Sequence, residues 1–179
     1  MIKKKSAFTL IEVIIVLSIT VLVLGIVMSV FMTGNRVFAQ SDVKTTLQMQ
    51  GKDIQEKISN ICMEGSKIEA VTRVSTSTDE IKSIKILSFY NNGSNSKSYE
   101  IKLNDDSNLD INGNILYGKV KSIKINKNIV DESKKIGAAP DYTGFSSIDF
   151  NIVLTAKKGF SGELDYLVNF TVAFRNKGK

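Results

Sequence analysis

From Val13 to Thr33 the chain reads VIIVLSITVLVLGIVMSVFMT, uncharged and apolar on every side. At 1.5 Å per residue this run makes a helix of about 31 Å, enough to cross a hydrocarbon core. No proline or turn cluster ends it. Val43, Leu47, Ile54, Ile58 and Ile61 follow at helical spacing, keeping one apolar stripe on an otherwise polar surface. Gly65 and Ser66 then read as a stop. The pattern predicts one helix from near Phe8 to about Glu64, apolar all round in its first half and amphipathic in its second. The halves need different burial partners. A sheet of the same chain can cover a stripe, whereas lipid or further copies must cover a segment apolar on all sides. Gly25, Gly34 and Gly51 are where such a helix is expected to bend or loosen.

After about Val71 the period changes from helical to alternating. EIKSIKILSFY, KSYEIKL and KVKSIKIN place apolar and polar residues in turn, as half-buried strands do. NNGSNS, between Tyr90 and Lys97, predicts a hairpin turn. FSSIDFNIVLTAKK and LDYLVNFTVAFRN predict a second hairpin around KGFSGE. The expected fold is α+β: a long N-terminal helix packed through its amphipathic half against one antiparallel β-sheet. The stretch from Asn126 to Gly144 holds the only proline, Pro140, and is expected to be an irregular loop.

Charge and composition change this picture little. The net charge of +6 owes half its excess to Lys3, Lys4 and Lys5. The other lysines mostly alternate with apolar residues along strands, so no clustered phosphate-binding patch forms and no specific nucleic-acid partner is expected. One cysteine, Cys62, and no histidine exclude an intrachain disulfide and the common nucleophile–base pairs. Cys62 falls on the apolar side of the helix, as a buried small hydrophobe does. Neither an enzyme nor a cofactor nor a metal site is expected. DSNLDINGN resembles a calcium loop only faintly, with its glycine two places late and no closing glutamate, so it reads as a solvated turn.

The N-terminus allows several readings. Lys3, Lys4 and Lys5 before the run place the N-terminus inside and the rest of the chain outside. A cleaved signal peptide would use Val37-Phe38-Ala39, but its apolar region is too short a class for this run. A lipoprotein signal lacks its cysteine. A plain anchor leaves Glu12 unexplained, because a carboxylate in a spanning helix costs up to about 3 kcal/mol near the centre.

Ser6-Ala7-Phe8-Thr9-Leu10-Ile11-Glu12, after a basic leader and before the apolar run, strongly resembles the type III signal of type IV pilins and pseudopilins. The resemblance implies cleavage by a prepilin peptidase between Ala7 and Phe8, then methylation of the Phe8 amine. Ala7 stands where the family usually has glycine. It also implies that Glu12 meets the N-terminal amine of a neighbouring subunit. Each charge resists burial alone, and the pair fixes the axial register of one helix against the next. The simpler role keeps Glu12 at the interface or on the helix's own N-terminal amides.

On this resemblance residues 1–7 are the leader, 8–34 the membrane and filament-core half-helix, 35–65 its amphipathic half and 66–179 an external β-rich head. The expected function is a minor pilin or pseudopilin of a type IV pilus-like filament. Its partners are other pilin subunits, the prepilin peptidase, the assembly machinery and, before assembly, the cytoplasmic membrane. The missing disulfide fits a Gram-positive host. The alternative is a membrane-anchored surface binding protein that does not polymerise.

Overall fold

The computed structural model describes residues 8–75, 79–89, 96–117, 119–132, 140–142, 144–157, 159 and 162–175. Helix α1 runs unbroken from Leu10 to Glu64, about 80 Å at 1.5 Å per residue. Its second half carries the stripe read from the sequence: Val43, Leu47, Ile54, Ile58 and Ile61 are all buried, with Cys62 beside them. Gly51 lies on the same stripe. A Cβ there would stand 2.7 Å from Val168 Cγ2 and 3.1 Å from Tyr166 Cε1. The glycine expected to loosen the helix therefore marks its closest approach to the sheet.

The helix stops at Gly65, whose N–H donates to the carbonyls of Ile61 (2.9 Å) and Cys62 (3.1 Å). Its backbone is extended, with φ −68° and ψ 148°, so no left-handed conformation calls for glycine here. Space does: a Cβ would lie 2.5 Å from Ile86 Cγ2. The helix end is pinned further by side chains. Tyr99 Oη donates to the Glu64 carboxylate at 2.7 Å, Ser88 Oγ to the Glu64 carbonyl at 2.8 Å, and Ser66 Oγ to the Leu87 carbonyl at 2.9 Å.

The described strands are β1 (Lys67–Arg73), β2 (Ile81–Phe89), β3 (Ser96–Leu103), β4 (Leu109–Ile111), β5 (Asn114–Tyr117), β6 (Val120–Ile125), β7 (Ser147–Ala156) and β8 (Leu164–Ala173). All their pairings are antiparallel, and the α+β class holds. The strands form two sheets rather than one, ordered β1-β2-β3-β4-β5 and β6-β7-β8. The break falls between β5 and β6, where Lys119 takes a left-handed φ of 67° and redirects the chain. A backbone tie across the break runs from Val120 N–H to the Ser107 carbonyl (2.8 Å), with a bridge between Glu80 and Lys124, while Thr155 N–H to the Lys119 carbonyl (2.9 Å) extends the β6–β7 ladder. Alternation in KVKSIKIN identifies a strand but does not say which strand it joins.

Both expected hairpins form. β2 pairs with β3 from Ser83↔Lys102 to Phe89↔Ser96, although the NNGSN turn itself lies outside the described residues. β7 pairs with β8 from Ser147↔Ala173 to Ala156↔Leu164 without a register shift. The solvated turn expected in DSNLDINGN includes the exposed tip of a third hairpin: Asn112 (φ 54°) and Gly113 (φ 83°) form the two-residue turn between β4 and β5, the Asn-Gly signature of a type I′ hairpin. The Asp110 carboxylate accepts from the Gly113 N–H at 2.6 Å and braces that turn.

β1 begins at Lys67, earlier than the alternation suggests, because register shifts after Ile68 and Thr72 blur its period. The stretch expected to be irregular contains a short helix, α2 (Lys127–Glu132), which buries Ile129 and Val130. Asn126 seats it, exchanging hydrogen bonds with the side chain and backbone of Asp149. One continuous core joins the α1 stripe, both sheets and α2, with Phe150 stacked on Phe170 at 5.3 Å. Helix α1 lies chiefly on β8, with further contacts to β7 and β2.

Candidate functional site

Thr9 starts the helix. Its φ of −77° and ψ of 151° are those of an N-cap, and its Oγ1 accepts the Glu12 N–H at 3.3 Å. Its carbonyl accepts from Glu12 N (3.1 Å) and Val13 N (3.3 Å). Thr9-Leu10-Ile11-Glu12 has the spacing of a capping box, with threonine at the cap and glutamate three residues on. Glu12 is exposed, and its negative charge sits where the helix dipole favours one. Its carboxylate accepts no hydrogen bond among the described residues. The T-x-x-E spacing is the sequence signal for this cap.

Beyond Glu12 the helix is bare. Leu10, Ile11, Val13, Ile14 and their successors through Met32 remain 47–82% exposed. The three hydroxyls with hydrogen bonds in this half donate within the helix itself. Ser18 bonds the Ile14 carbonyl (2.8 Å), Thr20 that of Val16 (2.8 Å) and Thr33 that of Ser29 (2.9 Å). Such back-bonding leaves little for water to do on this surface, as an apolar surrounding requires. Each of these large side chains is worth about 1.5–3 kcal/mol when removed from water. The fold of the head covers none of them. A Cβ added at Gly25 or Gly34 would point into open space, with nothing packed against it within 4 Å.

The sites read from the sequence thus fall at one end of one element. Phe8, 78% exposed, directly precedes the cap, and Glu12 closes the first turn. Lys3, Lys4, Lys5 and Ala7 lie outside the described residues. Cys62 sits far away, fully buried at the other end of α1, where desolvation pushes its thiol up to about 12. It behaves as packing, not as a nucleophile.

A helix long and apolar enough to cross a membrane, bare in its first half and clamped to a β-rich head by its second, fits a head carried on a membrane anchor. The start of the chain narrows the class. Residues 2–28 match the family model of the prokaryotic N-terminal methylation motif, the signal of type IV prepilins. Neither the curated proteins nor the solved structures give a match to this chain.

Proposed function

We propose that this chain is a structural subunit, a minor pilin or pseudopilin, of a type IV pilus-like filament. The observation that carries the reading is Glu12: a carboxylate at the head of an uncovered apolar helix, inside the methylation motif. Prepilin peptidase cuts between Ala7 and Phe8 on the cytoplasmic face and methylates the new amine, which stays cationic. The half-helix at 8–34 waits in the membrane with the head outside. Moving it from lipid into a bundle of like helices gains little hydrophobic free energy, because lipid tails are already apolar. Packing and charge must therefore set the order of assembly. Glu12 meets the Phe8 amine of a neighbour, and that pair rewards one axial stagger above the others. Thr9 holds the first turn in shape for the encounter. The β head plays no catalytic part. Its size and the lack of a disulfide support a minor subunit over a major one.

Intact-mass spectrometry of the protein from its own host tests the first step. The expected mass is that of the chain beginning at Phe8 with one added methyl group. An uncut chain, or a cut after Ala39, overturns the reading. Shearing tests the second: the subunit belongs with released filaments, and its retention in membranes alone would favour an anchor that never assembles.

A further inference from the structure

Where the two sheets part, they leave a cleft of about 260 Å³. Val74, 55% exposed, and the half-buried Leu103 give it an accessible aliphatic surface, over Ile81 and Ile123, which are sealed in the core. Glu80, Lys82, Asp105 and Lys121 stand around it, two anions and two cations. Each already has a partner: Lys82 Nζ lies 2.8 Å from Asp105, Lys121 Nζ 2.7 Å from Asp165, and Lys124 Nζ 3.6 Å from Glu80. The hydrogen bond from Lys82 holds the Asp105 carboxyl below its ordinary range, and Lys121 does the same to Asp165.

One polar group in the wall is not engaged. Ser122, on β6, is only 9% exposed, and its hydroxyl has no hydrogen-bond partner among the described residues. Buried hydroxyls are rarely left in that state. Ser107, on the opposite wall, is held at a left-handed φ of 61°, a strained conformation for a residue other than glycine.

Size and charge together select a ligand. The cleft is smaller than the roughly 300–1,000 Å³ typical of pockets for drug-sized molecules, so it suits a single ring. A charged ligand would have to break an existing ion pair. A neutral polyol would not, because ammonium groups keep spare donors and carboxylates spare lone pairs. A pyranose also offers an aliphatic C–H face to the valine and leucine surface. We propose that this cleft binds a neutral sugar ring of hexose size, its apolar face on Val74 and Leu103 and one hydroxyl bonded to Ser122 Oγ. The ring bridges the two sheets beside the Glu80–Lys124 bridge that joins them. The site lies on the head, so it stands independently of filament assembly.

The test is saturation-transfer difference NMR on the full chain in phosphocholine micelles, which bring no sugar of their own. Methyl glucoside, methyl mannoside and N-acetylglucosamine are the neutral probes, with glucuronate, glucosamine and a neutral tripeptide beside them. A saturable signal from at least one neutral sugar is expected. Ser122→Leu fills the cleft and abolishes the signal. Lys82→Ala, on the exposed rim, weakens it by about tenfold, the loss of one charge-assisted hydrogen bond. If Ser122→Leu fails to fold, Ser122→Ala and Lys82→Ala decide. No saturable signal from any neutral sugar overturns the proposal. So does tighter binding of a charged sugar or the tripeptide, or a signal unchanged in the folded variants.

Discussion

Glu12 and Cys62 are ionisable residues at opposite ends of the same helix, and their surroundings give them opposite characters. Glu12 is exposed at the first turn beside a cap that uses its backbone N–H but not its carboxylate. Its charge remains available to a partner. Glu12→Ala is expected to leave cleavage and methylation unchanged, since the cut lies four residues away. Removing one member of a buried pair costs about 3–5 kcal/mol, so recovery of the variant in sheared filaments falls at least about tenfold. Recovery at the wild-type level would remove the registry role. Cys62 is sealed off by burial, which lifts its thiol from an ordinary 9.0 to about 12. At pH 8 the folded chain is expected to react with a thiol reagent at least about a hundredfold more slowly than the chain in guanidinium. The same shift has a sign in stability. The stability tied to the neutral thiol is fully present below pH 9 and is lost as the pH rises toward 12, because only the unfolded chain can release the proton there.

At the scale of elements, α1 is two helices in chemical terms joined without a break in the backbone. Only its second half is shaped to this fold, and Gly51 shows how closely. Gly51→Ala gains about 1 kcal/mol of helix propensity but drives a methyl group against the stiff side chain of Val168. Overpacking of that kind costs about 1–3 kcal/mol. The net expectation is a loss of about 1 kcal/mol, read as a lower urea midpoint. An unchanged or higher midpoint would mean that β8 can draw away from the helix at little cost. The strands divide in the same manner. β7 and β8 pair without a slip along their whole length. β1, β4 and β6 are each paired with a register shift, and the left-handed Ser107 and Lys119 sit at the join between the sheets.

The whole molecule has one continuous core, and that core begins at Val43. A fragment of residues 35–179 is therefore expected to be soluble and to unfold cooperatively, because it keeps every buried residue of the stripe and loses only the bare half-helix. Aggregation of that fragment would show that the apolar half supports the head. In the proposed filament the same division would separate two tasks, cohesion for 8–34 and shape for the remainder.

Much of this was determined by the sequence alone, where a local pattern carries its own physical consequence. A 3.6-residue stripe specifies which face of α1 is buried, and all five of its predicted residues are. An uncharged run can be covered only by lipid or by its own kind, and the T-x-x-E spacing sets Glu12 in the first turn of the helix whatever the fold. The tertiary structure decided what depends on distant neighbours. Period-two alternation cannot name a strand's partner, so the division into two sheets was hidden. Gly51 and Gly65 read as flexibility and as a stop, yet both are spacers whose worth lies in Val168, Tyr166 and Ile86. The cleft beneath Lys82 and Lys121 belongs to no segment of the chain. It exists because β2 and β6, some forty residues apart in sequence, meet at one bridge and then part.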